Sequence, residues 1–212
     1  MNVESFEPYH IGTKLIPDID LNIFLEKITK VIEQNEYEVP KEPISNIQII
    51  GSPTKIIGVK NDVRIELNFA AQALNVIRRN PSDVFDIFKE VQDLLPSIGY
   101  EIDATVLFYE IISTIIIKTD KDPVELLKKS TRLDFTAFED IYDLGVIGLR
   151  ITNMEKNNIL FNLIIEPNKT SPNSRFSVQL QFRSKEKEKI QFINNELENK
   201  ILSIIQSLER DE

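Results

Sequence analysis

Between Ser174 and Ser184 the chain alternates strictly, with Phe176, Val178, Leu180 and Phe182 set against Arg175, Ser177, Gln179, Gln181 and Arg183. A period of two is that of a sheet strand with one buried face, and the apolar side of such a strand needs cover. The neighbouring sequence supplies it. Asn158–Glu166 places Ile159, Phe161, Leu163 and Ile165 on one side, and Met154–Asn157 reads as a polar hairpin loop back to a strand over Gly145–Asn153. Beyond Ser184, Ile190, Ile193, Leu197, Ile201, Ile204 and Leu208 recur at helical spacing, which predicts an amphipathic helix across the inner face. Leu144–Phe182 is thus a three-stranded antiparallel meander closed by a helix.

An earlier stretch follows the same order. Tyr9–Ile16 reads as extended, and Asp18-Ile19-Asp20 offers capping carboxylates to a helix with Leu21, Phe24, Leu25, Ile28, Val31 and Ile32 on one stripe. Pro40 and Pro43 end that pattern. Short strands are expected at Ile47–Ile50, Lys55–Val59 and Val63–Phe69, with turns at Gly51-Ser52-Pro53 and Lys60-Asn61-Asp62, and Ala73–Arg78 as a further strand. Asn80-Pro81 then starts a helix through Val84, Ile87, Phe88, Val91, Leu94 and Leu95, which stops at Pro96. The second half opens on a long strand, Asp103–Lys118. Next come Asp122-Pro123-Val124-Glu125, with the spacing of a capping box, a short helix through Lys129, and an acidic stretch over Leu133–Asp143. Each half reads strand, helix, three or four strands, helix. The expected fold is therefore α+β, with one β-α-β-β-β(-β)-α repeat over residues 1–99 and a second over 100–212, the two forming one pseudo-symmetric domain.

Two tandem repeats of this kind resemble the TATA-box-binding-protein fold, a curved antiparallel sheet with helices on one face. Ile11-Gly12-Thr13-Lys14-Leu15 and Glu36-Tyr37-Glu38-Val39-Pro40 are similar to that family's Leu-Gly-Thr-Glu-Leu and Glu-Tyr-x-Pro-Glu segments. Leu144-Gly145-Val146-Ile147-Gly148-Leu149-Arg150 is similar to its Pro-Gly-Leu-x-Tyr-Arg strand. The family reads the DNA minor groove with an Asn, a Val and a Thr or Ser on the first strand of each repeat, and kinks it with Phe wedges. Here the resemblance puts His10 and Glu110 at the Asn positions, Gly12 and Lys14 at the others in the first half, and Ile112 and Thr114 in the second. A carboxylate facing acceptor-lined base edges is unfavourable. The family's Phe-Ser-Ser-Gly-Lys segment is replaced by Phe69-Ala70-Ala71 and by Glu166-Pro167-Asn168. The resemblance therefore implies the fold without TATA reading, and a fold does not carry its function with it.

Composition narrows the function classes further. With no cysteine there is no thiolate nucleophile, disulfide or sulfur-built zinc site, and with six glycines no phosphate cradle or dinucleotide fingerprint is found. His10 is the one histidine and no nucleophile elbow accompanies it, so it reads as a strand histidine with a structural hydrogen bond. Asp18/Asp20 and Asp120/Asp122 stand just before helices and read as caps, Glu139, Asp140 and Asp143 as a solvated acidic loop, and Lys185–Lys189 as a soluble helix start. No catalytic, metal or cofactor site is expected.

What remains is the polar side of the sheet: Arg175, Gln179, Gln181 and Arg183, with Arg150 on a neighbouring strand and His10 and Glu110 on the first strands of the two repeats. The expected function is a non-enzymatic binding protein that holds a protein or nucleic acid on this face. The alternative is a small-ligand binder or enzyme with a pocket between sheet and helices. A net charge of −9 makes any nucleic-acid affinity weak and salt-sensitive. Exposed strand edges predict a homo-oligomer, a dimer. No apolar run reaches the roughly 18 residues of a membrane span and the start shows no secretory leader, so the expected location is the cytoplasm.

Overall fold

The computed structural model describes residues 1–40, 54–78, 81, 84–130, 148–153 and 159–209. Eight strands form one antiparallel sheet: β1 (Asn2–Leu15), β2 (Thr54–Lys60), β3 (Val63–Asn68), β4 (Ala73–Arg78), β5 (Val106–Lys118), β6 (Leu149–Thr152), β7 (Leu160–Pro167) and β8 (Arg175–Ser184). Their spatial order is β2-β3-β4-β1-β5-β8-β7-β6. Strands from both halves of the sequence thus join one sheet, and the junction is the pair of long strands β1 and β5. The helices are α1 (Leu21–Gln34), α2 (Val84–Leu94), a single turn α3 (Ile102–Thr105), α4 (Pro123–Ser130) and α5 (Lys187–Glu209).

Local chemistry sets several boundaries. The Asp20 carboxylate accepts hydrogen bonds from the amides of Asn22 and Ile23 at 2.9 and 3.2 Å, satisfying two donors that the first turn of α1 would leave bare. Asp122 does the same for Val124 at 2.8 Å. The reciprocal half of that capping box is not made, because Glu125 lies 3.4 Å from Lys128 instead. Asn61 and Asp62 both adopt positive φ, 50° and 62°, as the two-residue turn joining β2 to β3 requires. At the join between halves Pro96–Ile98 form a 3-10 turn that Gly99 closes at φ 88°.

The strands bury Tyr9, Ile11, Leu15, Ile65, Leu67, Leu74, Val76, Ile111, Ile115, Ile117, Phe176, Val178 and Leu180 on one face. Onto that face pack Phe24, Ile28 and Ile32 of α1, Val84, Phe88 and Val91 of α2, and Ile190, Leu197, Ile201 and Ile205 of α5. Two hydrogen bonds cross this layer, a part-buried one from the Tyr9 hydroxyl to Asn194 Oδ1 at 2.6 Å and a buried one from Gln92 Nε2 to Thr13 Oγ1 at 2.7 Å.

Three expectations need correction. The first strand begins at Asn2, not Tyr9. Residues 102–105 form a helical turn, so the second long strand starts at Val106. In α5 the innermost residue of the last turns is Ile205, with Ile204 only partly buried. The expected strand at 47–50, the acidic stretch at 133–143, the hairpin loop at 154–157 and the start of the Gly145–Asn153 strand lie outside the described residues.

Candidate binding face of the sheet

Strand parity assigns every sheet residue to the helix side or the opposite, outward side. The ladder registers give two continuous outward rows. One runs Glu66, Asn75, Gly12, Glu110, Arg183, Leu160 across β3, β4, β1, β5, β8 and β7. The next runs Arg64, Ile77, His10, Ile112, Gln181, Asn162 across the same strands. Thr114, Gln179, Ile164 and Arg150 extend the face over β5, β8, β7 and β6. All seven residues expected at the site, His10, Glu110, Arg150, Arg175, Gln179, Gln181 and Arg183, stand on this one side.

The structure gives six of them side-chain partners, five across to a neighbouring strand and Arg175 to β1, two strands away across β5. Glu110 accepts from Arg183 Nε and, at 2.8 Å, from Gln181 Nε2, while the Arg183 guanidinium lies 4.9 Å from the centre of the Phe108 ring. Arg175 grips Glu4 with two nitrogens and reaches Ser171 Oγ at 2.8 Å with a third. Gln179 donates to Glu166 at 3.1 Å, and Arg150 to Asn162 at 2.8 Å. The Arg175 guanidinium holds the Glu4 carboxyl below the usual carboxylate range. Planar donors and carboxylate or amide acceptors are thus hydrogen-bonded across the strands, which fixes their orientation. Ile112 stands among them with 38% of its surface exposed.

Comparison with protein-family models, with curated proteins and with solved structures returns no match for this chain. The site is therefore read from its own residues.

The Nε2 of His10 is buried and makes no hydrogen bond of full geometry, and the Asn75 side chain is the group that bears on the ring. Burial lowers its pKa, favouring the uncharged ring, opposed by the Asn75 side chain and the Glu110 charge. The cause lies one row over. Gly12 has no side chain, and a β-carbon there would stand 2.4 Å from Asn75 Oδ1 and 3.1 Å from His10 Nε2. Asn75 lies across that gap, is only 8% exposed, and together with His10 closes the outward face over β1. Glu66, the next residue of the row, is equally buried, and desolvation raises its pKa despite Arg64 at 3.6 Å.

Glu4, Glu66, Asn75 and Phe108 belong to this face and were not among the expected residues. Parity alone could have placed Asn75 and Glu66, since both fall on the polar phase of strands whose apolar phase is clear. Glu4 and Phe108 depend on pairing register, which the sequence does not carry. The remaining candidates fall to local roles: Asp20 and Asp122 cap helices, and Lys189 pairs with Glu186 at 2.6 Å in the first turn of α5. Glu139, Asp140 and Asp143 lie outside the described residues. Among the described residues no group of three or more His, Asp or Glu could hold a metal ion, and no helix is long and apolar enough to cross a membrane.

Proposed function

We propose that this chain is a non-enzymatic binding protein that holds a protein partner on the outward face of its sheet, in a two-repeat fold of the TATA-box-binding-protein kind. The two-repeat reading is supported by the strand order: β4, β3 and β2 follow outward from β1, as β8, β7 and β6 follow outward from β5. Matching His10 to Glu110 also matches Ile11 to Ile111, the one pair that a twofold would leave facing its own equivalent. These two residues do face each other in the β1–β5 ladder.

The observation that carries the binding reading is the hydrogen-bonded array around exposed Ile112 on the side away from the helices. Such an array presents oriented polar groups around an apolar centre at low ordering cost, the pattern of a protein contact patch. A protein suits it better than a nucleic acid. Arg175 and Arg183 are already neutralised by Glu4 and Glu110, so gripping a phosphate would mean breaking an ion pair within a chain of net charge −9. The same balance supports the expected homodimer as a second reading, because a face whose charges are paired internally does not repel its twin.

A photo-crosslinking side chain at Thr114 should trap a protein partner in cells, while one at Ile23 on the outer side of α1 should not. Ile112→Asp should abolish the adduct. Equal adducts from both positions, or retention of gel shift of random-sequence DNA by the chain at physiological salt, would refute the reading. An adduct of twice the chain mass identifies the partner as a second copy.

A further inference from the structure

β1 is longer than the strand beside it. β5 runs along β1 from Asn2 to Leu15, whereas β4 accompanies it only from Tyr9 to Lys14. On the β4 side, no described strand pairs with Asn2–Pro8. In the other half β8 follows β5 from Tyr109 to Lys118, leaving only the three residues Val106–Phe108 without a described strand on that side. A cleft of about 1460 Å³ occupies the step, with Val3–Pro8 along one wall, Asp62, Arg64 and Ile77 at the end of the β2–β3–β4 block, and Glu198 of α5 above.

We infer that this step is a binding site for an extended, basic peptide segment of another protein, which adds a strand to the β4 edge of β1. This site is separate from the face proposed above and does not rest on that reading. An open edge offers a ready ladder of backbone donors and acceptors. Pro8 has no N–H to give and lies within the register shift between Phe6 and Tyr9, so the usable edge is Val3–Glu7, about 17 Å at the rise of an antiparallel strand. The walls set the side-chain preference. Val3 and Phe6 face the helix side and pack against the core, ready for an apolar residue of the ligand. Four carboxylates line the cleft against two cations, Arg64 and Arg78: Glu7, Asp62 and Glu198 are exposed around the opening, Glu4 is committed to Arg175, and Arg64 lies 3.6 Å from Glu66.

A second copy fits this edge badly. Pairing a second copy over Val3–Glu7 would add its own Glu4 and Glu7 to the carboxylates already at the opening. It would also bring together two chains of net charge −9. A lysine-bearing strand meets the same carboxylates with the opposite sign.

The test uses three labelled heptapeptides and fluorescence anisotropy on the whole chain. The first alternates Lys and Val, the second alternates Glu and Val, and the third is the Lys-Val peptide N-methylated at every second residue, which keeps charge and side chains but cannot form the ladder. The Lys-Val peptide should bind at least tenfold more tightly than either of the others and should protect amides within residues 3–7 from hydrogen exchange. Glu7→Lys combined with Glu198→Lys, both exposed changes, should weaken it at least tenfold while leaving the unfolding midpoint in place. Equal binding of the N-methylated peptide would reduce the effect to general charge attraction and overturn the proposal. So would equal binding of the Glu-Val peptide, protection elsewhere in the sheet, or no binding at millimolar peptide.

Discussion

Thr13 and Gln92 form a hydrogen bond whose removal should cost very different amounts depending on which partner goes. Both side chains are fully buried between β1 and α2, 2.7 Å apart, and the other end of the amide, Gln92 Oε1, has no partner. Thr13→Val preserves shape but strands the amide nitrogen as well as the oxygen, and a buried unsatisfied group costs about 1–3 kcal/mol. Gln92→Met keeps the volume of an unbranched chain and removes the orphaned oxygen together with the donor, leaving only a rotatable hydroxyl behind. Its net cost should be under about 1 kcal/mol. In the double variant no buried polar group remains at this point, so it should be at least as stable as the parent. The coupling is then about 1–3 kcal/mol. For a chain of this length each kcal/mol corresponds to roughly 2–4 °C in Tm. Urea denaturation of the four proteins, compared at equal m-values, measures the cycle. If the double variant loses the sum of the two single losses, the bond stabilises as an independent contact and the account based on stranded groups is refuted.

Three further outcomes are expected. Gly58→Ala would place a β-carbon 2.6 Å from the Ile32 γ-methyl in the core, so it should lose about 1–3 kcal/mol in denaturant unfolding; an unchanged midpoint would show that Ile32 yields freely. Glu66 has its folded pKa raised by burial, so its contribution is fully present below the unfolded carboxyl pKa, near 4.3, and is lost as pH rises through the folded value; Glu66→Gln should therefore stabilise at pH 7 and make no difference near pH 4 in paired thermal melts. Tyr9→Phe removes the donor to Asn194 that ties the first strand to α5, and should cost about 0.5–1.5 kcal/mol without altering the far-UV spectrum.

The parts of the fold legible in the sequence are those where one buried face imposes a period. Phe176–Phe182 alternate because the helices cover one side of β8, and Phe24, Ile28 and Ile32 recur because α1 lies on the same core. The first seven residues of β1 hid their strand: Glu4, Glu7 and Pro8 carry no alternation, and the register shifts between Val3 and Ser5 and between Phe6 and Tyr9 break the period. The turn at 102–105 was invisible for another reason, since a single turn is too short for an i, i+3, i+4, i+7 stripe to show. At the candidate site, parity identified the face but not its state. Whether Arg175 and Arg183 are free cations depends on Glu4 and Glu110, which are distant in sequence and reach them only through the ladder.

The pairing of β1 with β5 also orders events in time. Ile11 lies across from Ile111, so the N-terminal strand meets its longer neighbour only after about 100 more residues have been made. At 5–20 residues per second that is roughly 5–20 s. During this interval β4 can accompany Tyr9–Lys14, but among the described residues no strand lies on either edge of Asn2–Pro8 until β5 leaves the ribosome. Residues 2–8 therefore wait for β5 although β4 is made earlier, and a slow phase in their hydrogen-exchange protection during translation would mark the joining of the two halves.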